Sequence, residues 1–128
     1  MNITEETQKI VNALTSGEYV KAAEIYSVII NTAKLQNTPD VPALLASRAS
    51  CYLLSKQWQL GLNDCNEAIL INPHTINAYV QKGKILVELK KIDEARQVVK
   101  DARALLGEHQ LLVDLDNIIN DSWFTVGT

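Results

Sequence analysis

Along this chain apolar residues return every three to four positions almost everywhere, and no segment shows the strict alternation of a half-buried strand. The pattern predicts an all-α chain. Punctuation cuts it into seven short helices. Gly17 follows a first helix over about Ile3 to Ser16, and "NTPDVP" separates a second, about Glu18 to Leu35, from a third starting near Val41. "SKQW" parts the third from a fourth that stops at Asn72-Pro73, because a residue before proline is driven out of the helical region. "KKI" and "LGEH" supply the last two breaks.

The chain also resembles itself. A shift of 34 residues sets Leu45 on Tyr79, Ala49 on Gly83, Tyr52 on Leu86, Gly61 on Ala95, Cys65 on Val99 and Ala68 on Ala102. Large falls on large and small on small. A 39-residue shift sets Ala49 on Ile10, Gly61 on Ala22 and Cys65 on Tyr26, so the first unit is five residues longer, an excess expected in "KLQNTPD". The small residues have a physical reason: two helices joined by a tight turn approach to about 8–10 Å only where one surface is cut away. Glycine within a helix costs about 0.5–1 kcal/mol against alanine, so Gly61 and Gly83 mark close crossings, the latter expected inside the third pair. Tyr26, Tyr52, Trp58 and Tyr79 are the expected knobs.

Leu45, Ala49, Tyr52, Gly61, Cys65, Ala68 and Pro73, followed by Tyr79, Gly83, Leu86, Ala95, Val99 and Ala102, carry a pattern that resembles the tetratricopeptide repeat. The resemblance implies a right-handed superhelical stack of three antiparallel helix pairs, a solenoid with a C-terminal capping helix. The single domain would span residues 1–128, with repeats at about 3–36, 42–75 and 76–107, a cap at about 108–121 and a tail at 122–128. In the cap, Leu111, Leu112, Leu115, Ile118 and Ile119 form the apolar stripe, and Trp123-Phe124 would fold back, dock a partner or begin a further segment. The first helices of such a stack line a concave groove that takes peptides. In this register the partner-binding groove comprises Thr7, Gln8, Val11, Ser47, Ser50, Asn77, Val80, Gln81 and Lys84.

Co-chaperones of this family hold a chaperone's C-terminal carboxylates with lysine, asparagine and arginine. The corresponding positions here are Thr7, Val11, Ser47, Asn77 and Gln81, all uncharged, so strong charge-assisted capture of an acidic tail is not carried over.

Charge and chemistry narrow the function. The formal net charge is -3 with scattered Lys and Arg, which disfavours nucleic acid. No run of 18 apolar residues suits a membrane, and the acidic, polar start does not resemble a signal peptide; a cytoplasmic or nuclear protein is expected. Cys51, Cys65, His74 and His109 lack metal-ligand spacing, so no metal and no cofactor is expected. No nucleophile sits beside a base and no phosphate-binding loop is present, so the chain is expected not to be an enzyme. The leading expectation is a protein-protein interaction adaptor that binds a peptide or protein in its groove. The alternatives are a co-chaperone with altered tail specificity, and a self-associating homodimer module of an assembly factor or ubiquitin-ligase subunit.

Overall fold

The computed structural model describes residues 3–127, with side chains described for 4–122. Seven helices follow in order: α1 (Ile3–Thr15), α2 (Tyr19–Leu35), α3 (Val41–Leu54), α4 (Trp58–Ile71), α5 (Ile76–Glu88), α6 (Ile92–Leu106) and α7 (Gln110–Gly127). No strand occurs among the described residues. The turns inside the first three pairs are each three residues long, and the central residue of each is left-handed: Gly17 at φ 74°, Lys56 at 63° and Lys90 at 64°. Only glycine adopts that conformation without a Cβ penalty, so Lys56 and Lys90 are held there by the tight reversal. Between pairs the chain leaves the helix differently. Asn72 is extended, as its place before Pro73 requires. Its side chain accepts a hydrogen bond from the His74 amide at 3.0 Å, and the Tyr79 hydroxyl donates to the Pro73 carbonyl at 2.8 Å.

The extra length of the first unit lies mostly in helix. α2 has 17 residues against 14 in α4, and the connection after it is only residues 36–40. α2 ends at Leu35, as the sequence predicts, so "KLQNTPD" contributes its first two residues to the helix and the other five to the connection.

Helices pack in sequence order, with α3 on α4 and α5, and α5 on α4, α6 and α7. α1 approaches α2 most closely: no Cα of α1 lies within 8 Å of a Cα of α3, although Ala13 of α1 and Cys51 of α3 belong to one buried cluster with Ala22 and Ala23. The small residues are where the crossings are. Ala22, Ala49, Ala68, Ala95 and Ala102 are fully buried, and Gly61 is buried as well. A Cβ on Gly61 would meet Ile85 Cδ1 at 2.6 Å. One on Gly83 would meet Leu115 Cδ2 at 2.6 Å, so its close crossing is with α7 and not with α6 inside the third pair. That corrects the sequence expectation. The first helix of each later pair faces the next first helix as well as its own partner, and the notch serves that second neighbour.

One buried polar pair ties three helices together. Arg48 of α3 donates to both oxygens of Asp64 on α4 at 2.7 and 2.6 Å and to the Ser27 hydroxyl of α2 at 3.0 Å, and it lies 5.6 Å from the centre of the Tyr52 ring. Such a pair fixes orientation more than it adds net stability, because both charges lose water.

The last helix extends beyond the expected cap, running through residues 122–127 where a tail was expected. Leu112, Leu115 and Ile119 are fully buried against α5 and α6. Ile118 is 37% exposed and does not join them, which removes it from the predicted core stripe. Arg103 of α6 fastens the helix, donating to Asp116 at 2.7 Å and to Glu108 at 3.1 Å. The side chains of Trp123 and Phe124 lie outside the described residues.

Candidate functional site

Helices α1, α3, α5 and α7 supply the first-helix face of the stack. Thr7, Gln8, Val11 and Asn77 are exposed there, and Val11 is about half exposed. Gln8 donates to Asn12 at 3.0 Å. Ser47 and Ser50 are half-buried: Ser50 donates back to the Ser47 carbonyl at 2.6 Å, a common way for a helical serine to satisfy its hydroxyl. Val80 is 3% exposed and offers the groove no surface, contrary to the sequence expectation. The reason is tertiary. α5 is closely approached by four helices and α1 by one, so a register projected from unit to unit overstates what α5 leaves free.

Gln81 is half-buried, and its Oε1 is enclosed without a hydrogen-bond partner among the described residues. In the 34-residue register it corresponds to Leu115, which lies over Gly83. By that equivalence Gln81 occupies an apolar knob position at the crossing of α5 with α3.

Lys84 leads to a feature the sequence reading passed over. One turn beyond the predicted groove residues, a cleft of about 310 Å³ is lined by Leu53, Leu54, Lys56, Trp58, Lys84, Val87, Glu88 and Ile118. It is built from the ends of α3 and α5, the turn into α4 and the outward side chain of α7. Leu54 is half exposed. The signal was present in the sequence: Ser50 to Leu54 and Lys84 to Glu88 are i,i+4 steps along the faces already predicted, so the stripe needed one more turn. Ile118 could not have been found that way, because its spacing fits the core stripe equally well.

The arrangement of helices can be compared with known proteins. No family model matches the chain. Heat shock protein STI1 of Saccharomyces cerevisiae is 32% identical over 93 residues, covering 73% of this chain; the chain spans only 15% of that protein's length. Among solved structures, the TPR2B domain of yeast Sti1 in complex with an Hsp70 peptide superposes with a TM-score of 0.77 at 18% identity, covering 95% of this chain and 96% of that one. This chain is a tetratricopeptide-repeat domain. The second such domain of human RPAP3, solved in complex with the Hsp70 peptide SGPTIEEVD, superposes with a TM-score of 0.69 at 24% identity, covering 90% of this chain and 92% of that one.

Both cysteines of this repeat domain are buried. Burial pushes the Cys65 thiol up to about 12, with the neighbouring Asp64 charge acting in the same direction. Burial also raises Cys51, partly opposed by a hydrogen bond with Ser50. Burial raises the Tyr26 phenol, partly opposed by the Ser47 hydroxyl. No group of three His, Cys, Asp or Glu side chains able to hold a metal occurs among the described residues, and no helix there is long and apolar enough to cross a membrane.

Proposed function

We propose that this repeat domain is a non-catalytic adaptor that holds a peptide or protein partner in the groove of its first helices, acting in the cytoplasm or nucleus. The observation that carries this is the cleft among Leu53, Leu54, Val87 and Ile118, which opens on the face formed by α3, α5 and α7 and has a largely apolar lining. The likeness to domains in complex with Hsp70 peptides favours a short peptide over a folded partner. It also supports a second reading, a co-chaperone whose tail specificity differs from the usual one. Thr7, Val11, Ser47, Asn77 and Gln81 offer no charge to an acidic C-terminal tail. With single exposed ion pairs worth only about 0.2–1 kcal/mol, such a tail should bind no better than about 100 µM.

Ser50→Arg tests the groove. The half-buried serine lies on its wall, and a guanidinium there occupies ligand space while the helix stack stays folded. Partners captured from cells by the parent and lost with Ser50→Arg, at unchanged helicity and melting, support the adaptor reading. Retention of the same partners by Ser50→Arg refutes it. Low-micromolar binding of an acidic tail that disappears on changing Asn77 and Gln81 selects the co-chaperone reading instead.

A further inference from the structure

We propose that the cleft between α3, α5 and α7 is the anchor pocket of the ligand, and that it takes a peptide carrying a bulky apolar side chain directly beside one carboxylate. This rests on the groove reading above and names the chemistry of its occupant. Most of the lining is apolar: Leu53 and Leu54 of α3, Trp58 of α4, Val87 of α5 and Ile118 of α7. Two of these, Leu54 at 50% and Ile118 at 37%, keep much of their surface in water. An apolar side chain that covers them removes that surface from solvent.

Charge selects among apolar ligands. Lys56 and Lys84 both line the cleft, and neither forms an ion pair within 4.0 Å with any described side chain. Glu88 is the one acid in the lining, which leaves the pocket with a net charge of +1 from two lysines and one glutamate. The rest of the predicted groove, Thr7 to Gln81, is uncharged. One carboxylate beside the anchor is therefore complementary, whereas a run of acids finds no further cations and meets Glu88. Other exposed apolar residues, Leu35, Leu70 and Ile71 at the ends of α2 and α4, have their neighbouring lysine, Lys34, already paired with Glu67 and are the natural alternative surface.

Lys56 offers an unusually clean test. Its backbone is left-handed at φ 63°, and Gly17 stands at the equivalent point of the first turn. Lys56→Gly therefore removes the cation from a position where glycine relieves strain, and the fold survives the change. The probe is the blocked peptide Ser-Gly-Asp-Phe-Gly-Ser, followed by amide NMR shifts of the full chain. Its controls carry Asn for Asp, Ala for Phe, or the acidic tail Glu-Glu-Val-Asp.

Shifts should concentrate at Leu53, Leu54, Lys84, Val87 and Ile118. Replacing Asp by Asn, or changing Lys56→Gly or Lys84→Gln, should each weaken binding about 1.5- to 5-fold. Replacing Phe by Ala should weaken it about tenfold or more. Shifts confined to the Thr7, Ser47 and Asn77 region would overturn the anchor assignment and leave groove binding standing. Shifts confined to Leu35, Leu70 and Ile71 would overturn both. Tighter binding of the acidic tail than of the Asp-Phe peptide, no response to any peptide, or cleft shifts that follow protein concentration alone would each overturn the proposed ligand; the last would assign the cleft to a second copy.

Discussion

Gly83 gives the most direct test of the inferred packing. A Cβ at this position would stand 2.6 Å from Leu115 Cδ2, 3.1 Å from Cδ1 and 3.3 Å from Cγ, where carbon atoms normally sit about 3.5–4.0 Å apart. The branched end of the leucine side chain obstructs it. Leu115 is fully buried, so it cannot swing aside without displacing neighbours. Against this, alanine gains about 0.5–1 kcal/mol over glycine within a helix. With an overpacking cost of about 1–3 kcal/mol, Gly83→Ala should be destabilising by about 0–2.5 kcal/mol, and Gly83→Leu by about 2–3 kcal/mol or more. The decisive measurement is a double-mutant cycle followed by urea unfolding. Leu115→Ala alone should cost about 2–5 kcal/mol. Combined with Gly83→Ala, where the added methyl has no clash and fills part of the void, the pair should be about 1–2 kcal/mol more stable than the sum of the singles. Additivity to within about 0.5 kcal/mol would refute the contact. So would a Gly83→Leu protein that melts within about a degree of the parent, since for a chain of this size 1 kcal/mol corresponds to about 3–5 °C. Gly61→Ala is the internal contrast. Its one short contact is the terminal Ile85 Cδ1 at 2.6 Å, with Tyr52 Cβ and the Ala49 carbonyl at ordinary distances of 3.5 and 3.6 Å; one methyl has to give instead of a branched end, but Ile85 is also fully buried, so Gly61→Ala should cost less than Gly83→Leu without being stabilising.

Gln81→Leu should stabilise the domain by about 1 kcal/mol, because it removes an enclosed acceptor without a partner and restores the residue type found at Leu115; a loss of stability in thermal melts would show that the amide is satisfied. Neither Cys51 nor Cys65 should react with iodoacetamide in the native protein, since both are buried and the Cys65 thiol titrates only near 12; alkylation at the rate of the unfolded chain would contradict that burial. Glu108 is held below the usual carboxylate range by its hydrogen bond from Arg103, so its stabilising effect should be complete above about pH 4.5 and fade as pH falls through the lower folded value. Acid unfolding of Glu108→Gln should therefore differ from the parent by a constant offset above that pH and by a shrinking one below it, and a difference that grows with acidity would refute the assignment.

Helical class, repeat length and the placement of small residues were legible in the sequence because each is a local or periodic property. Apolar spacing sets the helix, Asn72-Pro73 and Gly17 end two of them, and a crossing that demands Ala49 or Gly83 leaves the same mark every 34 residues. Which neighbour each face meets is a different kind of fact. The notch at Gly83 serves α7 and not α6, Val80 is covered although its register placed it on the groove, and α1 comes less close to α3 than α3 does to α5. These follow from how many helices surround each element, and a periodic pattern cannot express that when the end units have fewer neighbours than the middle ones. Ile118 is the sharpest case: its spacing suits the buried stripe of α7, yet the rotation of that helix over Gly83 buries Leu115 and Ile119 and turns Ile118 outward into the cleft with Leu54 and Lys84. Sequence periodicity determines that a helix has an apolar face, but only the contact between helices decides which edge of that face remains open to a ligand.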